Sequence, residues 1–255
     1  MHRIYQATVE GLRFYTRLPT PQNIYSSDRL NFQSIAWSLP IVGIIIGLSG
    51  ASILLLSIAL GLSSMIGAIL AVATLIIVTG GLHEDGLADF TDCLNGQKIE
   101  HRLAIMRDSR IGAFGALALF ITLLLRIAAL SDLVEQSLFG ALLVILVVSP
   151  LSRVAGLAPL IFLQPARQDG VAANAAAPTL QTFIYLLATM TLFGFLPALW
   201  LSHPMNAIFA TLAAVMGALV IQWRAQQQLG GFTGDVLGAA QQLAEVGGLL
   251  AFSLS

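Results

Sequence analysis

The sequence predicts an all-α fold, a polytopic integral membrane helical bundle with about seven transmembrane helices and acidic motif loops on its cytoplasmic side. Three observations lead there. Of the 255 residues, 57% are hydrophobic and 10% are charged, where an ordinary soluble domain carries roughly 25% charged residues. The mean hydropathy is +0.85. Apolar stretches of about 20 residues, the length that one bilayer crossing requires, recur along the chain.

Candidate spans fall at 34–61, 64–82, 112–131, 137–162, 180–201, 205–223 and 236–253. Only Gly61, Leu62, Ser63 and Ser64 separate the first two, a turn that a kinked or re-entrant pair would share. Ahead of the spans lies an arm, 1–33, with Arg3, Arg13, Arg17 and Arg29. The apolar run after it begins near Ile35, too late and too long for a cleavable signal peptide, so the N-terminus is expected to be retained. No repeat of fixed period divides the chain, and the one biased tract is an Ala-rich patch at 172–177. The expectation is one integral membrane domain, 1–255.

Charge sets orientation and excludes a partner. With 12 Lys+Arg against 13 Asp+Glu, no basic field exists to hold nucleic acid by counterion release. A cytoplasmic N-terminus puts segments 1–33, 83–111, 163–179 and 224–235 inside, and these hold ten of the 12 positive charges. The outside connections near 62, 132–136 and 203 hold none, as the positive-inside rule requires. Arg126 and Arg153 lie within spans. Arg126 is expected to snorkel toward the outer surface. Cys93 is the single cysteine and can form neither an internal disulfide nor a thiolate metal site alone.

The strongest local signal is His83-Glu84-Asp85-Gly86-Leu87-Ala88-Asp89-Phe90-Thr91-Asp92. Asp85, Asp89 and Asp92 are spaced i, i+4, i+7, which on a helix puts three carboxylates on one face. Gly86 and Ala88 keep the neighbouring surface small enough for a bulky ligand. Such hard oxygen donors suit Mg²⁺ or Mn²⁺ bridging to a substrate diphosphate. The bland alternative is a solvated acidic helix start favoured by the macrodipole. Glu84 points elsewhere and is auxiliary, while His83 is an interfacial residue or a substrate contact.

A second cluster, Met106-Arg107-Asp108-Ser109-Arg110-Ile111-Gly112, stands before the third span. Arg107 and Arg110 can hold phosphate oxygens, Asp108 can ligate metal or take a proton, and Ser109 can cap a helix. Alone, these could equally be a positive-inside anchor. A third, Gly230-Gly231-Phe232-Thr233-Gly234-Asp235, is a turn whose amides could approach phosphate. It leads into a span with Gln242 and Glu245. Glu245 is costly there unless it faces a cavity or a counter-charge, for which Arg153 is the natural candidate. Asp235, Gln242 and Glu245 share roughly one side of that helix, an interior polar wall.

These blocks, with Gly80-Gly81-Leu82 ahead of the stripe and Arg13-Phe14-Tyr15-Thr16-Arg17-Leu18-Pro19 in the arm, resemble the cobalamin synthase family of adenosylcobinamide-GDP ribazoletransferases. The likeness runs in order over nearly the whole chain. It departs at Cys93, where glycine is expected after the last Asp of the stripe.

The resemblance implies a Mg²⁺-dependent transferase of the cell inner membrane with a cytoplasmic active site. It would join adenosylcobinamide-GDP to α-ribazole or its 5'-phosphate and release GMP. Asp85, Asp89 and Asp92 would bind metal, and Asp108 would be a further ligand or the base for the ribose hydroxyl. Arg107 and Arg110 would hold phosphate. Asp235 and Glu245 would line the substrate cavity, with His83, Ser109 and Arg153 as further substrate contacts. Homo-oligomers, or association with other corrinoid-assembly enzymes, suit the family, though no residue specifies either.

Two other classes, a lipid-type transferase and a transporter, fit less well. A CDP-alcohol phosphotransferase should have Gly after its second Asp, and a membrane prenyltransferase a second Asp-rich loop. A transporter should show repeated halves and charges near several midplanes.

Overall fold

The computed structural model describes residues 2–21, 31–167, 176–201 and 203–254, without the side chains of His2 and Arg3. Arg29 and residues 172–175 of the Ala-rich patch lie outside the described residues. Eleven helices follow one another among them: α1 (His2–Tyr15), α2 (Phe32–Ala59), α3 (Ser64–Thr79), α4 (Leu82–Cys93), α5 (Ile99–Ile105), α6 (Ala113–Gln136), α7 (Leu138–Ala155), α8 (Ala158–Phe162), α9 (Leu180–Trp200), α10 (Asn206–Leu229) and α11 (Gly234–Ser253).

Five helical stretches are long and apolar enough to cross a membrane: α2, α6, α7 continued by α8, α9 and α10. A sixth counts only if α3 and α4 are taken together, and these bend by 88° at their junction. Gly80 and Gly81 make that bend, both in the left-handed region at φ 66° and 68°, which residues with a Cβ seldom adopt. The expected span at 236–253 is present as α11, but Gln241, Gln242 and Glu245 lower its apolarity and it is not among the five. The protein is a membrane protein, with five to six such spans among the described residues, and the expected seven is not confirmed.

The helix ends meet at two opposite ends of the bundle. At one, Trp200 Nε1 donates to Ser137 Oγ at 3.0 Å, Gln136 Nε2 to the Ser253 carbonyl at 3.2 Å and Asn206 Nδ2 to the Leu254 carbonyl at 2.9 Å. At the other, the Phe232 N–H donates to Gln164 O and the Ala166 N–H to Phe232 O, both at 2.9 Å. Arg102 Nη1 donates there to Gln228 O at 2.8 Å. Helix α11 therefore runs from end to end.

Small residues seat the helices, as expected where lipid leaves no hydrophobic drive between them. On α2, Gly43 meets Pro150 of α7 so closely that a Cβ would collide with it. Gly217 of α10 lies against the Leu243–Ala244 backbone of α11, and Gly247 of α11 against Ala213. Outward, α6 and α9 expose Leu117, Phe120, Ile121, Leu192, Leu196 and Leu199, an apolar surface suited to acyl chains.

Two helices were not anticipated. In the arm, α1 packs on α2, where Ser38 Oγ donates to Ala7 O at 3.0 Å. Its residues alternate in character around the helix without an apolar run of spanning length. Helix α5 is one short segment of seven residues between the two acidic motifs.

Candidate active site

A cleft of about 670 Å³ opens at the end of the bundle that holds α5 and the two acidic motifs, lined by Arg17, Gly80, Gly81, Asp85, Ala88, Asp89, Arg107, Asp108 and Ser109 among others. Helix α4 forms one wall, because the bend at Gly80 and Gly81 turns it across the end of α3. The loop between α5 and α6 forms the facing wall. Asp85 is exposed and Asp89 half-buried, and among the described residues neither carboxylate has a hydrogen-bond or ion-pair partner.

Asp92 was expected to complete the stripe and is placed otherwise. It is buried, its Oδ2 accepting the Gly112 N–H at 2.7 Å and its Oδ1 the Gly115 N–H at 2.8 Å. It caps α6 from another helix, satisfying amides that a helix start leaves without partners. Gly112, at the N-cap position of α6, has no side chain to do so. A Cβ at either glycine would collide with the Asp92 carboxylate. Ser109, expected as a cap, lines the cleft instead.

Gly86 likewise faces away from any ligand. It packs on the backbone of Asp235 and on Gly238, seating α4 against α11. His83 is buried outside the cleft, its ring stacked on Tyr15 with centroids 5.7 Å apart.

In the facing loop, Asp108 is held by Arg110, whose Nε donates at 3.0 Å to Oδ1 and whose Nη2 donates at 2.6 Å to Oδ2. These hydrogen bonds keep the Asp108 carboxyl below the usual carboxylate range, which makes it a weak proton acceptor. The pair is exposed, where such bridges contribute little and part easily for a ligand. Arg107 lines the cleft and has a partner of its own.

Asp235 and Glu245 do not share a wall. Asp235, half-buried at the start of α11, accepts the Thr233 hydroxyl at 3.2 Å and lies 3.9 Å from Arg167. Burial pushes its carboxyl pKa up, opposed by Arg167. The glycine turn before it packs on the chain that follows α8, Gly231 lying against Gln164 and Ala166. Gly230 closes α10 at φ 71°, and the Phe232 N–H is spent on Gln164 O.

Glu245 is deep in the bundle and its salt bridge is to Arg126, at 2.7 Å, rather than to Arg153. Arg126 does not snorkel. It is buried and also bridges Glu84 at 2.9 Å. Arg153, also buried, donates to Ser149 O at 2.6 Å. Neither arginine lines the cleft.

Two residues were missed as site groups. Arg17 lines the cleft beside Gly80, where its side chain occupies the space a Cβ would need. In the sequence it stands in the Arg13–Pro19 block of the arm, far from either acidic motif, and nothing local shows that it reaches them. Glu84 was set aside because it lies off the carboxylate face, which is the reason it points into the bundle.

Mg²⁺ is typically held by one or two carboxylates plus substrate phosphates rather than by an all-protein cage. Among the described residues no three His, Cys, Asp or Glu side chains form a ready metal cluster. Asp85 and Asp89, unpartnered on one cleft wall, fit that sparser donor set.

An apolar bundle bearing a cleft of carboxylates and guanidiniums at one end has the build of an integral membrane enzyme acting on anionic substrates. Residues 7–253 match the cobalamin-5-phosphate synthase family, and the chain belongs to it. It is 44% identical to the adenosylcobinamide-GDP ribazoletransferase of Azorhizobium caulinodans over 94% of this chain and 92% of that one. The proteins of the same name from Xanthobacter autotrophicus and Mesorhizobium japonicum are 40% and 39% identical, each covering 96% of this chain and 95% and 91% of their own. No solved structure matches.

Proposed function

We propose that this chain is an adenosylcobinamide-GDP ribazoletransferase whose reaction takes place in the cleft between α4 and the α5–α6 loop, on the cytoplasmic side of the inner membrane. A hydroxyl of α-ribazole, or of its 5'-phosphate, attacks the phosphorus that carries the cobinamide. That phosphorus–oxygen bond forms, the bond to GMP breaks, and the hydroxyl proton passes to a carboxylate or to water.

The observation that carries this reading is the meeting of Asp85, Asp89, Asp108, Arg17 and Arg107 on one cleft. Asp85 and Asp89 would hold Mg²⁺ (or Mn²⁺), which when bound supplies charge neutralisation on the diphosphate. Arg17 and Arg107 present guanidiniums to phosphate oxygens, and Arg110 can join them by releasing Asp108. Asp92 supports the site as a cap. The cytoplasmic assignment is supported by the ten Lys and Arg gathered in segments 1–33, 83–111, 163–179 and 224–235, the pattern that favours the inner side.

The test is GMP release by protein in liposomes supplied with adenosylcobinamide-GDP and α-ribazole 5'-phosphate, with and without Mg²⁺, for wild type and Asp89→Ala. Metal-dependent release abolished by the substitution supports the reading. Folded wild type that releases no GMP overturns it.

A further inference from the structure

We infer that Arg126, though outside the cleft, is a positioning residue for the reaction, holding α4 through Glu84 so that Asp85 and Asp89 face the substrate. This rests on the role proposed above for those two aspartates.

Arg126 is 2% exposed in the middle of α6. A guanidinium buried in a membrane bundle is costly unless paired, and here it is paired twice. Its Nη1 donates to Glu84 Oε1 at 2.9 Å and to Gln242 Oε1 at 3.3 Å, and its Nη2 lies 2.7 Å from Glu245 Oε1. Gln242 Nε2 donates to the same Glu84 oxygen at 3.1 Å. Gln241 Nε2 donates to Glu245 Oε2 at 2.6 Å and to Ser152 Oγ at 3.0 Å. Helices α4, α6, α7 and α11 thus share one hydrogen-bonded network.

Its position on α4 is what connects it to the chemistry. Glu84 immediately precedes Asp85. At the other end of α4, Asp92 is tied to the start of α6 through Gly112 and Gly115. Helix α4 is therefore fastened to α6 at both ends, and Asp85 and Asp89 lie between the fastenings. Other helix pairs meet at close glycine contacts such as Gly43 on Pro150 and at hydrogen bonds between uncharged groups such as Trp200 Nε1 to Ser137 Oγ. A buried charge network specifies register at a cost in stability, and rotating α4 would carry both carboxylates off the cleft wall.

The experiment compares wild type, Arg126→Lys, Glu84→Ala and Glu84→Gln in nanodiscs. It measures kcat, the KM for adenosylcobinamide-GDP and hydrogen exchange of the α4 amides. A lysine has one shorter-reaching ammonium in place of the planar fork whose separate nitrogens meet Glu84 and Glu245, so Arg126→Lys and Glu84→Ala should each raise KM about tenfold, the scale seen when groups supporting a site's ligands are lost. Exchange should quicken in α4 while α2 and α9 stay protected. Glu84→Gln, which keeps an acceptor for Arg126, should restore both. If the lysine variant does not fold, Glu84→Ala carries the test. The proposal is overturned if activity falls only in proportion to folded protein, with KM and α4 exchange as in wild type. Should wild type itself release no GMP, the functional reading fails instead, while α4 exchange still decides whether Arg126 holds that helix.

Discussion

Oδ1 of Asp92 accepts the backbone N–H of Gly115 at 2.8 Å, joining the last turn of α4 to the first turn of α6. Its second oxygen takes the Gly112 amide. Asp92→Ala removes both acceptors and should lower stability by about 1–2 kcal/mol, the range for a lost helix cap. Asp92→Asn keeps one acceptor and should lose less. Thermal unfolding in detergent checks this. A variant that melts normally but loses activity would mark Asp92 as a metal ligand instead.

Among the described residues the carboxylates of Asp85 and Asp89 have no hydrogen-bond or ion-pair partner, so removing either should leave the unfolding midpoint nearly unchanged. GMP release should fall about 10²-fold or more, as when a group stabilising transition-state charge is deleted. Activity assays and melts on the same preparations separate the two effects. Loss of fold in either variant would contradict the placement.

The carbonyl of Gln164 sits where a Cβ on Gly231 would go. Gly231→Ala should therefore destabilise the chain by about 1–3 kcal/mol, the usual cost of overpacking. The KM of the surviving enzyme should be unaltered, because the Phe232 amide is spent on Gln164 O and the Gly230 amide on Gln226 O. A raised KM with normal stability would restore a phosphate-binding role to the glycine turn.

Arg110 is 87% exposed and bonded to Asp108. Arg110→Ala should leave the melting transition in place, since an exposed pair adds little to stability. If Arg110 transfers to the substrate's phosphates, KM for adenosylcobinamide-GDP rises about tenfold, as expected for one charge-assisted hydrogen bond. An unchanged KM would confine Arg110 to its pairing with Asp108.

The helices were legible where a long apolar run leaves the chain one way to satisfy its backbone, as in α2, α6, α9 and α10. Helix α1 is amphipathic at the helical period but has no apolar run of spanning length, so a reading that looks for spans passes over it. The cleft was legible in Asp85, Asp89, Arg107 and Asp108, whose two motifs do line one cavity. At Asp92 the structure shows a cap in place of an open carboxylate. Helical spacing places that residue on the stripe, but spacing cannot show that the uncapped start of α6 would cover it.

Composition and local pattern alone settle that this is a helical membrane protein and mark the polar segments between its apolar runs, because the cost of exposing backbone or charge to lipid is paid residue by residue. Which charges meet is a property of the packed bundle. Glu245 bonds Arg126 and not Arg153, and Glu84 joins them, because the crossing of α4, α6 and α11 decides which side chains come within about 3 Å, the reach of a hydrogen bond. Pairing energy falls steeply with separation, and separation between helices exists only once they have packed.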